Sequence, residues 1–118
     1  MTPRHYPCQP LGDRGGLMTR RIGSEPTESW TEPRFFEWEL RGQSWSDEHP
    51  HSEFVYVLAG HLQVEAAGVT VECGPGDLVE VPAGSIGIYR APDHARMLSI
   101  YGPNPDGRET RLHGLKKA

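Results

Sequence analysis

His49-Pro50-His51-Ser52-Glu53-Phe54-Val55-Tyr56-Val57-Leu58-Ala59-Gly60 reads as a histidine- and carboxylate-rich strand that ends in a glycine turn. Its companion, Gly76-Asp77-Leu78-Val79-Glu80-Val81-Pro82-Ala83-Gly84, is a glycine-aspartate turn, a strand and a Pro-x-Gly turn. Gly supplies backbone conformations that other residues resist, and Pro cannot donate to a central ladder. Both therefore punctuate short strands.

Working outward, Phe35 to Leu40 sets Phe36, Trp38 and Leu40 against Glu37 and Glu39. That period of two marks a half-buried strand. Gly42 to Ser46 reads as a turn. Leu62, Val64 and Ala66 mark one further strand, and Val69 and Val71 another. Ile86 to Arg90 and Ala95 to Tyr101 read as two strands, with a surface turn at Ala91-Pro92-Asp93-His94 between them. Residues 1–33 are polar and broken by Pro and Gly, an arm with a short strand at Leu17–Ile22. No segment has helical periodicity. Short strands separated by turns predict an all-β sandwich or barrel of jelly-roll type, which also protects strand edges.

The bulk properties agree. The chain has 118 residues, enough for one domain with a modest core. Apolar content is only 36%, and 14 glycines and 11 prolines supply the turns. The net charge of −4 and the scattered ten Arg and two Lys exclude a basic nucleic-acid surface. No apolar run approaches the roughly 20 residues of a membrane span. The N-terminus has no apolar signal-peptide stretch, and Cys8 and Cys73 read as reduced thiols. The expectation is a cytoplasmic protein.

The turn and strand residues resemble the two signature motifs of the cupin superfamily, small barrels that often hold a metal. Glu53 lies seven positions before Gly60 and matches the first motif's Glu, and His49 matches its second His. Asp47 stands where the first His belongs. In the second motif Gly76, Pro82 and Gly84 match, and Gly87 stands at the final His. The stretches Glu53 to Gly60, Val81 to Ser85 and Arg96 to Tyr101 are similar to the ethanolamine-utilisation Q-type (EutQ) cupins, and the His-Pro-His-x-Glu-Phe style occurs in polyketide-cyclase-type small cupins. The resemblance implies a cupin-type jelly-roll β-barrel over 34–104, an arm at 1–33, a tail at 105–118, and a homodimer. Burial of Tyr6, Leu17 or Trp30 against the second copy is expected.

Asp47, His49, His51 and Glu53 share parity, so a regular strand points all four to one side. The metal reading takes Asp47, His49 and Glu53 as ligands to one divalent ion, Fe, Ni, Mn or Zn. Against it, neighbours on one face of an extended strand lie roughly 6.5–7 Å apart, too far to surround an ion without a bend. The loss of a side chain at Gly87 also removes a ligand from the opposite strand. The metal-free reading makes Glu53 and His49 a catalytic acid/base pair, and a solvated loop at Ser46 to Ser52 is the plain alternative. His51, Tyr89 and Val55 are the candidate substrate contacts. Trp30 and Trp45 lie in loop-like segments, where exposed aromatics mark a subunit contact or a pocket rim, and Trp38 belongs to the core.

Two classes of function follow. One is a small-molecule enzyme: a metal-assisted lyase, isomerase, cyclase or dioxygenase. The other is a non-catalytic binding or accessory protein that uses the cavity without metal.

Overall fold

The computed structural model describes residues 1–23 and 28–118. Its elements are all strands: β1 (Gly12–Arg14), β2 (Leu17–Ile22), β3 (Arg34–Glu48), β4 (Glu53–Gly60), β5 (Leu62–Ala66), β6 (Val69–Cys73), β7 (Leu78–Val81), β8 (Ile86–Tyr101) and β9 (Arg111–Lys117). The long β3 and β8 pair antiparallel along their whole length and serve two layers. One layer runs β1-β2-β3-β8-β4-β7, using the first half of β3 and the second half of β8. The other runs β9-β3-β8-β5-β6, using the remaining halves. This is a jelly roll whose sheet does not close completely.

Three segments differ from the sequence reading. Gly42 to Ser46 is not a turn. It lies inside β3, where Gly42 forms a bulge at φ 59°. An extra residue in one strand switches the faces that follow it. Trp38 and Leu40 point inward before the bulge, and the odd-numbered Trp45 and Asp47 do so after it. Likewise Ala91 to His94 is a bend in continuous β8, opposite Gly42. The polar tail holds β9, which pairs with β3. Polar strands at a sheet edge carry too weak an alternation to be read from sequence.

The core is built from the alternating inward residues, among them Trp38, Leu40, Val55, Val57, Leu62, Val64, Tyr89 and Met97. Leu17 packs against it, and Trp30 bridges to Asn104 within the same chain. Those two residues of the arm make contacts within their own chain and keep part of their surface exposed. Tyr6 stays exposed. Both thiols are free, Cys8 exposed and Cys73 buried.

On the outer face Glu37 lies between Arg20 (2.7 Å) and Arg96 (2.5 Å). Burial pushes its carboxyl up, but the hydrogen bonds and charges of Arg96 and Arg20 win and hold it below the usual range. A carboxylate whose folded-state pKa is depressed stabilises the protein above its unfolded pKa, and that stability fades as pH falls through the folded value. Wild-type melting temperature is expected to drop as pH falls below about 4.5. Glu37→Gln, less stable at neutral pH, should show a flatter acid limb. Parallel acid limbs in thermal melts of the two proteins would contradict this.

Candidate functional site

Between β3 and β4 the chain bends at His49 to Ser52 instead of continuing as a strand. That bend brings three side chains together that an extended strand would space apart. Asp47 Oδ2 lies 3.0 Å from His49 Nε2, and Glu53 Oε1 lies 3.3 Å from the same nitrogen. One donor atom from each of the three falls within 4.8 Å of the others. All three residues are buried, so the solvated-loop reading does not hold.

Neighbours fix each of these groups. Trp45 Nε1–H donates to Asp47 Oδ2 at 2.8 Å, and the Tyr89 hydroxyl donates to Glu53 Oε1 at 2.7 Å. His49 Nδ1 meets Thr110 Oγ1 at 2.7 Å. Asp47 Oδ1 and His49 Nε2 are buried without an aligned hydrogen-bond partner among the described residues. The Nε2 contacts to the carboxylates are close but off-axis. Burial disfavours a charged His49, yet Asp47 and Glu53 outweigh it and raise the imidazole to about 9. Burial, then the Glu53 and Asp47 charges, push the Tyr89 phenol well above its ordinary value, so it remains a donor. Burial lowers the His51 imidazole below its ordinary value.

These atoms form one end of a cavity of about 340 Å³. Leu17, Phe36, Trp38, Tyr101 and Leu112 give it apolar walls, and Arg14 lines it too. His49 also lines a wider opening beside Pro50, Gly84 and Arg108.

The candidate residues divide. Asp47, His49 and Glu53 are brought together. Tyr89 touches Glu53 but does not line the cavity, and Val55 is fully buried core that does not line it either. The sequence reading made Val55 a substrate contact, but its side chain is enclosed by the packed interior. His51 stacks on His49, ring centroids 4.7 Å apart, and faces a different, smaller cavity. Gly87 explains Tyr89: a Cβ at Gly87 would sit 2.7 Å from the Tyr89 hydroxyl. The tyrosine occupies the space a side chain at 87 would take.

Thr110, Tyr101 and Arg14 were not foreseen as site residues. Trp45, read from the sequence as a loop aromatic at a subunit contact or a pocket rim, lies in β3 after the bulge and lines the cavity. Thr110 and Arg14 come from polar segments that carry no motif.

The sequence matches the cupin domain family over residues 34–101. The chain is a cupin. Solved cupin structures share its fold at low identity. The EutQ protein of Clostridium difficile superposes with a TM-score of 0.63 at 22% identity, covering 75% of this chain and 63% of that one. Salicylate 1,2-dioxygenase from Pseudoaminobacter salicylatoxidans gives 0.69 at 18% identity, over 90% of this cupin and 31% of the enzyme. The DMSP lyase DddQ from Ruegeria pomeroyi gives 0.66 at 19%, over 82% and 51%. This cupin thus spans under two thirds of the length of each of these three. No match to a curated protein is found by sequence. Among the described residues no helix is long and apolar enough to cross a membrane.

The cupin's donor set fits a metal. Bonds of about 2.0–2.2 Å place neighbouring ligand atoms roughly 3.0–3.4 Å apart, the range spanned by the two contacts at His49 Nε2. The unpartnered Asp47 Oδ1 and His49 Nε2 are the atoms an ion would satisfy. Mixed imidazole and carboxylate donors suit Fe, Ni, Mn or Zn.

Proposed function

We propose that this cupin holds one divalent transition metal through Asp47, His49 and Glu53 and acts there on a small organic molecule. The observation that carries this reading is the convergence of three buried donors, from β3, β4 and the bend between them, on the lining of one largely apolar cavity. A bound ion would supply Lewis acidity to an oxygen of the substrate. The protein's own groups do the rest. Phe36, Trp38, Tyr101 and Leu17 hold an apolar body and exclude water. Arg14 attracts an anionic substituent. Tyr89 and Trp45 hold Glu53 and Asp47 in place through their hydrogen bonds. The reaction class is that of a lyase, isomerase, cyclase or dioxygenase. Similarly folded proteins include a salicylate 1,2-dioxygenase and a DMSP lyase.

A second reading is metal-free: His49 carries a proton between Asp47 and Glu53, and the site works as an acid/base pair or as a binding pocket only. The raised His49 pKa of about 9 favours it, because an imidazolium there neutralises the carboxylates by itself. Metal analysis of protein purified without an affinity tag separates the two. About one equivalent of Fe, Ni, Mn or Zn is the expected result. A metal-free protein that neither takes up nor responds to these ions would leave only the second reading.

The hydrogen bond at His49 Nδ1 makes a narrower test. A metal-binding imidazole needs its proton on the nitrogen that does not bind, and Thr110 Oγ1 is placed to accept it. Thr110→Val is expected to weaken metal binding by about 10–100-fold, with Thr110→Ser close to wild type. Equal affinities for Thr110→Val and wild type in a competitive chelator titration would count against the assignment.

We further propose a cytoplasmic homodimer joined through the outer face of β4 and β7, where the paired Tyr56 and Leu78 are exposed beside Leu58. A monomer by light scattering at micromolar concentration would refute the dimer.

A further inference from the structure

Gly102-Pro103-Asn104-Pro105-Asp106-Gly107 links β8 to β9, far in sequence from Asp47, His49 and Glu53. The Gly107 N–H donates to the Asn104 carbonyl oxygen at 3.1 Å and closes a turn over Pro105 and Asp106. Pro second and Gly fourth suit such a turn. The first residue of the turn is the unexpected one. Asn104 is 4% exposed, although Pro105 and Asp106 beside it lie in solvent. A buried amide is costly unless its polar groups are bonded. Here they are. Asn104 Nδ2 donates to the Arg108 carbonyl oxygen at 2.9 Å, and Oδ1 accepts from the Arg108 N–H at 3.2 Å. The Asn104 backbone also exchanges two hydrogen bonds with Trp30, at 2.8 and 3.1 Å. One side chain thus grips the backbone of Arg108 on both sides, from a point tied to the arm.

Thr110 follows Arg108 after one intervening residue, and its Oγ1 meets His49 Nδ1 at 2.7 Å. Beyond Thr110 the chain enters β9, where Arg111 pairs with Glu48 and Leu112 with Asp47. Those pairs end the ladder, next to a register shift between Ser46 and Asp47. Ladder ends open easily, so β9 alone holds Thr110 loosely. The Asn104 clasp fixes the same short segment from its other side.

We propose that Asn104 is a positioning residue for the His49 site: its side chain locks the 104–108 turn and so holds Thr110 Oγ1 against the His49 ring. The link itself stands on hydrogen bonds present without an ion. Its consequence for metal affinity rests on the metal reading above, so the two are measured separately.

The first readout is the His49 ring signals in nuclear magnetic resonance spectra of full-length protein stripped of metal by chelation. Asn104→Ala and Thr110→Val should each move them, and the double variant should match Thr110→Val alone. The second is zinc affinity in a competitive chelator titration. Asn104→Ala should lose about tenfold, and no more than about twofold when Thr110→Val is already present. Asn104→Asp keeps the oxygen that faces the Arg108 N–H and should fall between alanine and wild type. A purely structural Asn104 would lower the melting temperature, leave the His49 signals in place and add its loss to that of Thr110→Val. Either unmoved His49 signals or additive zinc losses would therefore overturn the proposal. Wild-type protein that binds no zinc, with His49 signals that respond as stated, would overturn the metal reading and support the positioning role. Should Asn104→Ala fail to fold, Thr110→Val tests the link from its other end. Coupling is reciprocal, so loss of the Thr110 anchor should speed hydrogen exchange at the Arg108 amide about tenfold. Unchanged exchange there would overturn the proposal.

Discussion

A His49→Ala protein is expected to emerge from purification without metal and to take up none in titration. His49 Nε2 is the central atom of the cluster, 3.0 Å from Asp47 and 3.3 Å from Glu53, and it is the single nitrogen donor among the three. Losing only a hydrogen-bond partner of a metal-binding imidazole costs about 10–100-fold in affinity, so losing the imidazole itself should exceed that. The two carboxylates are then left buried without a nearby cation, which adds a loss of stability. Metal content and competitive chelator titration read the first effect, and a thermal melt reads the second. An alanine variant that keeps a full equivalent of metal would place the ion elsewhere. Asp47→Ala should weaken binding less completely, because His49 and Glu53 remain.

Gly60→Ala is expected to be the most destabilising single substitution in the barrel, costing about 4 kcal/mol or more and leaving little soluble folded protein. Gly60 ends β4 at φ 79°, a conformation that disfavours any side chain. A Cβ there would also lie 2.0 Å from the His94 carbonyl oxygen and 2.9 Å from the Ala95 Cα. Both obstacles are backbone atoms of the central strand β8, so no side-chain rotation relieves the contact. The adjacent His61 N–H donates to that same His94 oxygen at 2.9 Å, which locks the approach. Soluble expression, with denaturant melts of whatever folds, checks the expectation. A Gly60→Ala protein with a wild-type melting midpoint would show that β4 and β8 can separate at this corner.

That contact also explains why the motif glycine was legible. Gly60 is required by a physical crossing of chains, and requirements of that kind leave a mark at a fixed spacing. The alternating runs at Phe36–Leu40, Glu53–Leu58 and Ala95–Tyr101 were legible for a similar reason: one face is buried and the other is not. The clustering of Asp47, His49 and Glu53 was visible as shared parity, but the objection that a straight strand holds such residues apart was resolved only by the bend at His49 to Ser52. Tyr89 could be placed near the site, yet its reach over Gly87 to Glu53 depends on a tertiary gap. Thr110 lies 61 residues from His49, and no local pattern links the two. For Val55, parity says which side of a strand the residue faces, not whether the space there is full, and the side chain is wholly buried.

The bulge at Gly42 has an unusual implication for how β3 tolerates change. The strand behaves like a reading frame in which position decides face, and Gly42 is a frameshift already corrected by everything after it. Deleting Gly42 removes the extra count but leaves Trp45 and Asp47 with the same neighbours on the same side. Keeping a residue there while forcing it into regular extended backbone, as valine would, turns Ser44, Ser46 and Glu48 inward and sends Asp47 to solvent. At this position the loss of a whole residue is the conservative edit, and a swap that conserves length rewrites the chemistry of the interior.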